Sequence, residues 1–116
     1  FSGFGHLPLP ALAMGAVGTV DAPLSISPWL YVELYDAWKA GDLDTARAKQ
    51  QEIQAVANLT ARYDAVSDVG KTILGQRLGI DCGRAILPNN RLTSDQFRDV
   101  LETAKSMGIL RTDVAA

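Results

Sequence analysis

Leu9-Pro10-Ala11-Leu12-Ala13-Met14-Gly15-Ala16-Val17-Gly18-Thr19-Val20 is the stretch on which the fold turns. Pro10 suits the first turn of a helix, where its missing N–H costs nothing, so Leu9 to Met14 is predicted as a short helix. Gly15 and Gly18 punctuate the next residues, and the apolar run Ala16 to Val20 reads as a buried strand. Phe1 to Gly3 reads as the end of another. Strand, helix, strand is half of a βαβ pattern, yet two strands do not make a stable sheet alone. The corner therefore reads as cut from a larger sheet, with edges that need partners.

Downstream the texture turns helical. Ser27 is a candidate N-cap with Pro28 behind it, and Leu30, Tyr31, Leu34, Tyr35 and Trp38 recur at helical spacing until Gly41 stops the run. Asp42 caps a second, longer helix with Leu43, Ala46, Ile53, Val56 and Ala57 on its apolar side. Arg47, Lys49, Gln50 and Glu52 are expected on its solvated face. Asp64 to Ser67 reads as a break, and Ser67 or Asp68 as the cap of a third helix ending at Gly79, with Ile73 and Leu74 inward. Residues 79–92 form an irregular connection. Thr93 and Gln96 have capping-box spacing, opening a last helix that carries Phe97, Val100, Leu101 and Ala104 and ends at Gly108. The tail after Leu110 is expected to be loose.

Composition narrows the function classes. The chain has 116 residues, 47% of them hydrophobic and 21% charged, which suits one globular domain. Eleven Lys and Arg against thirteen Asp and Glu give a net charge of −2, so the basic footprint of a nucleic-acid binder is missing. No apolar run approaches the ~18 residues that span a bilayer. Cys82 is the only cysteine and His6 the only histidine. They exclude an intrachain disulfide and give no metal-ligand spacing. A single cysteine also fits a reducing, cytoplasmic setting. Phe1 is neither an initiator Met nor part of a charged signal region, which reads as a piece of a longer protein.

The run Phe1-Ser2-Gly3 followed by Leu9 to Val20 resembles the dihydrodipicolinate synthase and N-acetylneuraminate lyase family. The resemblance continues through Tyr31 to Trp38, Lys39-Ala40-Gly41-Asp42-Leu43, Ala46-Arg47, Lys71, Leu78-Gly79-Ile80 and Arg84 to Pro88. Leu-Pro-Ala-Leu and Gly-Ala-Val-Gly look nearest the 4-hydroxy-2-oxoglutarate aldolase branch. The resemblance implies an α/β parent, a (β/α)8 TIM barrel, of which this mostly α chain is the C-terminal part. Residues 1–40 would be the last two β/α units and residues 41–116 a C-terminal helical extension. Strand seven would end at Gly3, Val17 to Val20 would be strand eight, and Ser27 to Ala40 helix eight.

The family's reaction uses a lysine that forms a Schiff base with pyruvate. The resemblance places that lysine, and its tyrosine partner, before Phe1. Lys39, Lys49, Lys71 and Lys105 all fall on predicted helices, where a solvated amine keeps its charge and cannot start an imine. No catalytic residue, cofactor or metal is therefore expected in this chain. The resemblance does imply substrate-binding positions: Gly3 leaving room beside a small 2-keto acid, and Val20 with its carbonyl near the imine. Gly5 and His6 match positions where sialic-acid lyases carry an acid pair. Both acids are missing, which argues against a sialic-acid substrate.

Asp21 reads either as a holder of a substrate hydroxyl or water, or as a turn cap before Pro23. His6 reads either as an acid–base group or as an exposed bystander. Trp29, Trp38, Tyr31 and Tyr35 are core or subunit-interface aromatics. The expected partners are the rest of the barrel, as an upstream segment or a companion chain, and further copies in a homo-oligomer. No nucleic acid or membrane is expected. A rival reading makes the chain a non-catalytic helical self-association module.

Overall fold

A computed structural model describes residues 1–111. Two compact units make up the chain, Phe1–Ala57 and Asn58–Ala116. Both are mostly helical, and among the described residues no strand forms.

In the first unit α1 spans Pro8–Ala13, α2 Ala22–Ile26 and α3 Pro28–Ala40. Both short helices pack on α3, whose Leu30, Tyr31, Leu34 and Ala37 form its buried stripe. Leu12 and Ile26 close the core from α1 and α2. The two extended stretches meet by a single parallel bridge, Ser2 to Thr19. Ser2 N–H donates to the Gly18 carbonyl at 2.9 Å and Val20 N–H to the Ser2 carbonyl at 2.8 Å. The predicted strands at Phe1 to Gly3 and Ala16 to Val20 thus shrink to one bridging residue each. A ladder propagates only when neighbouring strands hold both chains flat, and neither stretch has a second neighbour here.

Gly41 ends α3 in the left-handed region at φ 76°, as its position predicts. Ser27 differs from expectation. Its hydroxyl donates back to the Pro23 carbonyl at 3.0 Å instead of capping α3. Helix α4, Leu43–Ala61, starts at Asp42, whose carboxylate accepts from the Thr45 amide at 3.0 Å. Leu43 is exposed, although the periodicity put it on the apolar side.

The expected solvated face of α4 is partly occupied. Lys49 reaches Glu33 of α3 at 2.8 Å, and that carboxylate, with Glu52, raises the lysine's pKa. Gln50 turns inward: its Oε1 accepts from the Leu9 amide at 2.9 Å and its Nε2 donates to the Gly5 carbonyl at 3.2 Å. Periodicity ranks a glutamine as polar; it says nothing about backbone groups elsewhere that need a partner.

The second unit begins with a kink. Arg62–Asp64 is a 3-10 turn in which Tyr63 and Asp64 take positive φ of 63° and 51°. Side chains brace it. Arg62 and the Tyr63 hydroxyl meet Asp99 at 2.7 and 2.8 Å, and Asn90 donates to the Asp64 carbonyl at 3.0 Å. Helix α5, Val66–Leu78, comes next and packs on α6, Ser94–Ser106. Thr93 and Gln96 form the full capping box expected of them. Leu59, Val69, Ile73, Leu92, Val100 and Ala104 are buried.

Asp68 is the larger departure. It is no cap: the residue before α5 is Ala65, and Asp68 sits inside the helix at 1% exposure. Its carboxylate accepts from Arg84 at 2.7 Å and from the amides of Ala85 at 2.6 Å and Leu92 at 2.9 Å. The connection 79–92 is thereby tied to α5. The expectation for the tail after Leu110 falls, beyond Arg111, outside the described residues.

Candidate functional site

The bridge orients the site. Both stretches run parallel, so their C-terminal ends lie on one side, and there the segments Gly3 to Leu7 and Val20 to Leu24 leave the pair. Ligands of parallel-stranded α/β folds meet this end of the strands. The structure brings Gly3 and Val20 together: a Cβ built on Gly3 would stand 3.6 Å from the Val20 carbonyl oxygen. Val20 is 70% exposed, so its side chain is open to a neighbour.

Asp21 adopts the cap role. It precedes α2 in extended geometry and accepts from the Leu24 amide at 3.0 Å. A second donor is added by the Tyr31 hydroxyl, 2.9 and 3.1 Å from the two carboxylate oxygens. Burial first, and then the Asp21 carboxylate, pushes the Tyr31 phenol well above its ordinary value, so this hydroxyl stays a donor. The sequence placed Tyr31 among core or subunit-interface aromatics, and its ring is buried. The hydroxyl's target lies ten residues back, a distance no helical periodicity encodes.

Gly5 is a packing position. A Cβ there would meet Ala57 Cβ at 3.0 Å, Pro23 Cγ at 3.2 Å and the Tyr31 hydroxyl at 3.3 Å. Only glycine lets the 4–7 turn settle this close. In that turn Leu7 N–H donates to the Phe4 carbonyl at 2.9 Å. The His6 ring stacks on Phe4, with centroids 4.7 Å apart and planes at 29°. Of the five positions singled out, Gly3 with Val20 and Gly5 with Asp21 (through Tyr31) are neighbours, and His6 stands beside Phe4. Phe4 was not singled out from the sequence, and the Tyr31 hydroxyl was not assigned a partner there.

A groove of about 400 Å³ in the same unit is lined by Leu12, Val17, Leu24, Val32 and Tyr35 among others, and by none of those five positions. It is apolar and holds no charged side chain, so it suits packing and not reaction chemistry. Among the described residues no group of three or more His, Cys, Asp or Glu side chains is placed to hold a metal. Among them, too, no helix is long and apolar enough to cross a membrane. All four lysines lie on helices, α3 to α6. Lys71 donates to the Arg84 carbonyl at 3.0 Å.

The dihydrodipicolinate synthetase family model matches residues 1–107. A 4-hydroxy-tetrahydrodipicolinate synthase of Methanopyrus kandleri is 44% identical over 52 residues, 45% of this chain and 17% of that protein. One from Mycobacterium leprae is 31% identical over 112 residues, 96% of this chain and 36% of that protein. Among solved structures, Proteus mirabilis N-acetylneuraminate lyase superposes with a TM-score of 0.80 at 27% identity, covering 92% of this chain and 36% of that one. One of the solved structures that share this fold is thus a TIM-barrel lyase. The chain belongs to the dihydrodipicolinate synthetase family. It spans about a third of the length of the curated relatives that match most of it.

Proposed function

We propose that this chain is the C-terminal part of a Schiff-base-forming aldolase or lyase that handles pyruvate and a 2-keto acid. Residues 1–40 are its last two β/α units, and an upstream segment or companion chain supplies the catalytic lysine. The observation that carries the reading is the approach of Gly3 to the Val20 carbonyl at the C-terminal end of a parallel bridge, together with the family match. In the full protein the lysine amine condenses with the keto carbon of its substrate and expels water. This chain's part is to line that site: Gly3 leaves space and the Val20 carbonyl offers an acceptor. The helices supply oligomer contacts, with the half-buried Trp29 and Trp38 as candidates.

The four lysines here support the division of labour. An imine former must lose its proton, which takes a desolvated pocket. Lys49 is held charged between two carboxylates and Lys39 lies 5.7 Å from the Tyr35 ring centre, exposed. Borohydride reduction in the presence of pyruvate tests this. Residues 1–116 alone should give no reduced adduct, and the full-length protein should give one, on a lysine outside this stretch. An adduct on Lys39, Lys49, Lys71 or Lys105 would overturn the reading.

A further inference from the structure

The Val20 peptide has a single bridge for a sheet, and a side-chain clip completes its alignment. On one flank Val20 N–H donates to the Ser2 carbonyl at 2.8 Å. On the other, the Asp21 carboxylate is fastened twice, to the Leu24 amide at 3.0 Å and to the Tyr31 hydroxyl at 2.9 and 3.1 Å. The Val20 carbonyl lies between these anchors, and a planar peptide held at both ends has little freedom to swing its oxygen. An N-cap needs only an acceptor for one helix amide. The Tyr31 hydroxyl exceeds that need, and what it adds is a fixed place for the carboxylate. It is delivered from the core, since Tyr31 belongs to the buried stripe of α3. Gly5 makes room for it: a Cβ there would stand 3.3 Å from the Tyr31 oxygen. Burial, and then the Asp21 carboxylate, keeps the phenol protonated, so the hydroxyl remains a donor.

On the pyruvate-handling reading, on which this rests, we infer that Tyr31, acting through Asp21, is a positioning residue that aims the Val20 carbonyl at the condensing lysine amine. A carbonyl oxygen accepts well only from an N–H that points at it, and the bond weakens steeply once the angle falls below ~120°. Correctly aimed, the Val20 oxygen accepts an N–H of the amine and holds its nitrogen toward the keto carbon. Without the clip the peptide tilts, and the amine spends less time in the reacting geometry. Tyr31 touches neither substrate nor lysine in this scheme, so its loss should slow the condensation and leave pyruvate binding nearly as it was.

The test follows the full-length protein with pyruvate alone, reading how fast borohydride-trapped adduct accumulates as pyruvate is raised. Tyr31→Phe should lower the saturating rate about tenfold, the scale of one misdirected hydrogen bond, with the half-saturating pyruvate concentration within about twofold of wild type. Asp21→Ala should lose as much, and the double variant no more than either, because both act on one carbonyl. Asp21→Asn keeps an oxygen for both donors and should recover most of the rate. Tyr35→Phe, one turn along α3 and outside the clip, should leave the rate unchanged. An undiminished saturating rate in Tyr31→Phe, losses that multiply in the double variant, or an Asp21→Asn rate as low as that of Asp21→Ala would overturn the inference while the pyruvate reading stands. Absence of any trapped adduct in the wild type would end both.

Discussion

In the first unit, Asp21 lies half-buried at the foot of a short helix and serves one amide and one tyrosine hydroxyl. In the second, Asp68 is 1% exposed and holds an arginine and two loop amides. The two regions satisfy their backbones differently. The connection 84–92 is irregular, yet its amides at Ala85 and Leu92 and its carbonyl at Leu92 all find side-chain partners within the second unit. The stretch 16–20 was expected to be regular, yet it secures only one bridge and leaves Val17 and Val20 at 69% and 70% exposure. A loop can be stabilised by a few charged side chains, whereas a strand needs another strand.

The comparison breaks most readily at Asp68. Arg84→Ala leaves a buried carboxylate with amides alone and should be the costliest of these changes, read as a lower urea midpoint. A loss no larger than that of an exposed substitution would show that the pair is ornamental. Acid acts on the same group. Burial by itself would raise the Asp68 pKa, but Arg84 and the two amides outweigh it and hold the carboxyl down at about 2. Unfolded, it titrates near an ordinary value of about 3.9. A depressed folded pKa means the stabilisation is fully present above pH 4 and lost as pH falls toward 2. Roughly 2 kcal/mol is at stake. Urea midpoints at pH 7, 4 and 2.5 should fall more steeply in the wild type than in Asp68→Asn.

The first unit sharpens the contrast with smaller effects. Gly5→Ala forces a methyl against Ala57 and Pro23 and should cost about 1–2 kcal/mol by overpacking. Thermal unfolding would measure it, and an unchanged midpoint would mean the 4–7 turn moves freely. Tyr31→Phe removes one hydrogen bond to a half-buried carboxylate that keeps its amide donor, so about 1 kcal/mol is expected. If Tyr31→Phe proved as costly as Arg84→Ala, the two acids would be doing equivalent jobs after all.

The helices were legible because their signals are local. Pro28 and Gly41 bracket α3, Thr93 and Gln96 cap α6, and Gly79 stops α5. Much of the site was not. Gly3, Val20, Gly5 and His6 were named from a resemblance, but Phe4 was not singled out and Tyr31 was read only as a core or subunit-interface aromatic, because a stacked ring and a distant hydroxyl leave no periodic trace. Gln50 was misplaced for a related reason, since a polar side chain on a helix is assumed to face water unless something buried calls it in, and Asp68, expected as a cap, is called in by the Ala85 and Leu92 amides.

The sequence by itself determined the order of the longer helices, the caps at Gly41, Asp42, Gly79 and Thr93, the lack of a basic excess, and a resemblance sufficient to name the family. Those properties depend on neighbours within a turn or on composition. Tertiary structure decided which polar groups turn inward, how Gly5, Tyr31 and Asp21 interlock, and that the expected strands amount to one bridge. Each depends on what stands opposite in space, and hydrogen bonding to distant backbone obeys geometry, not spacing along the chain.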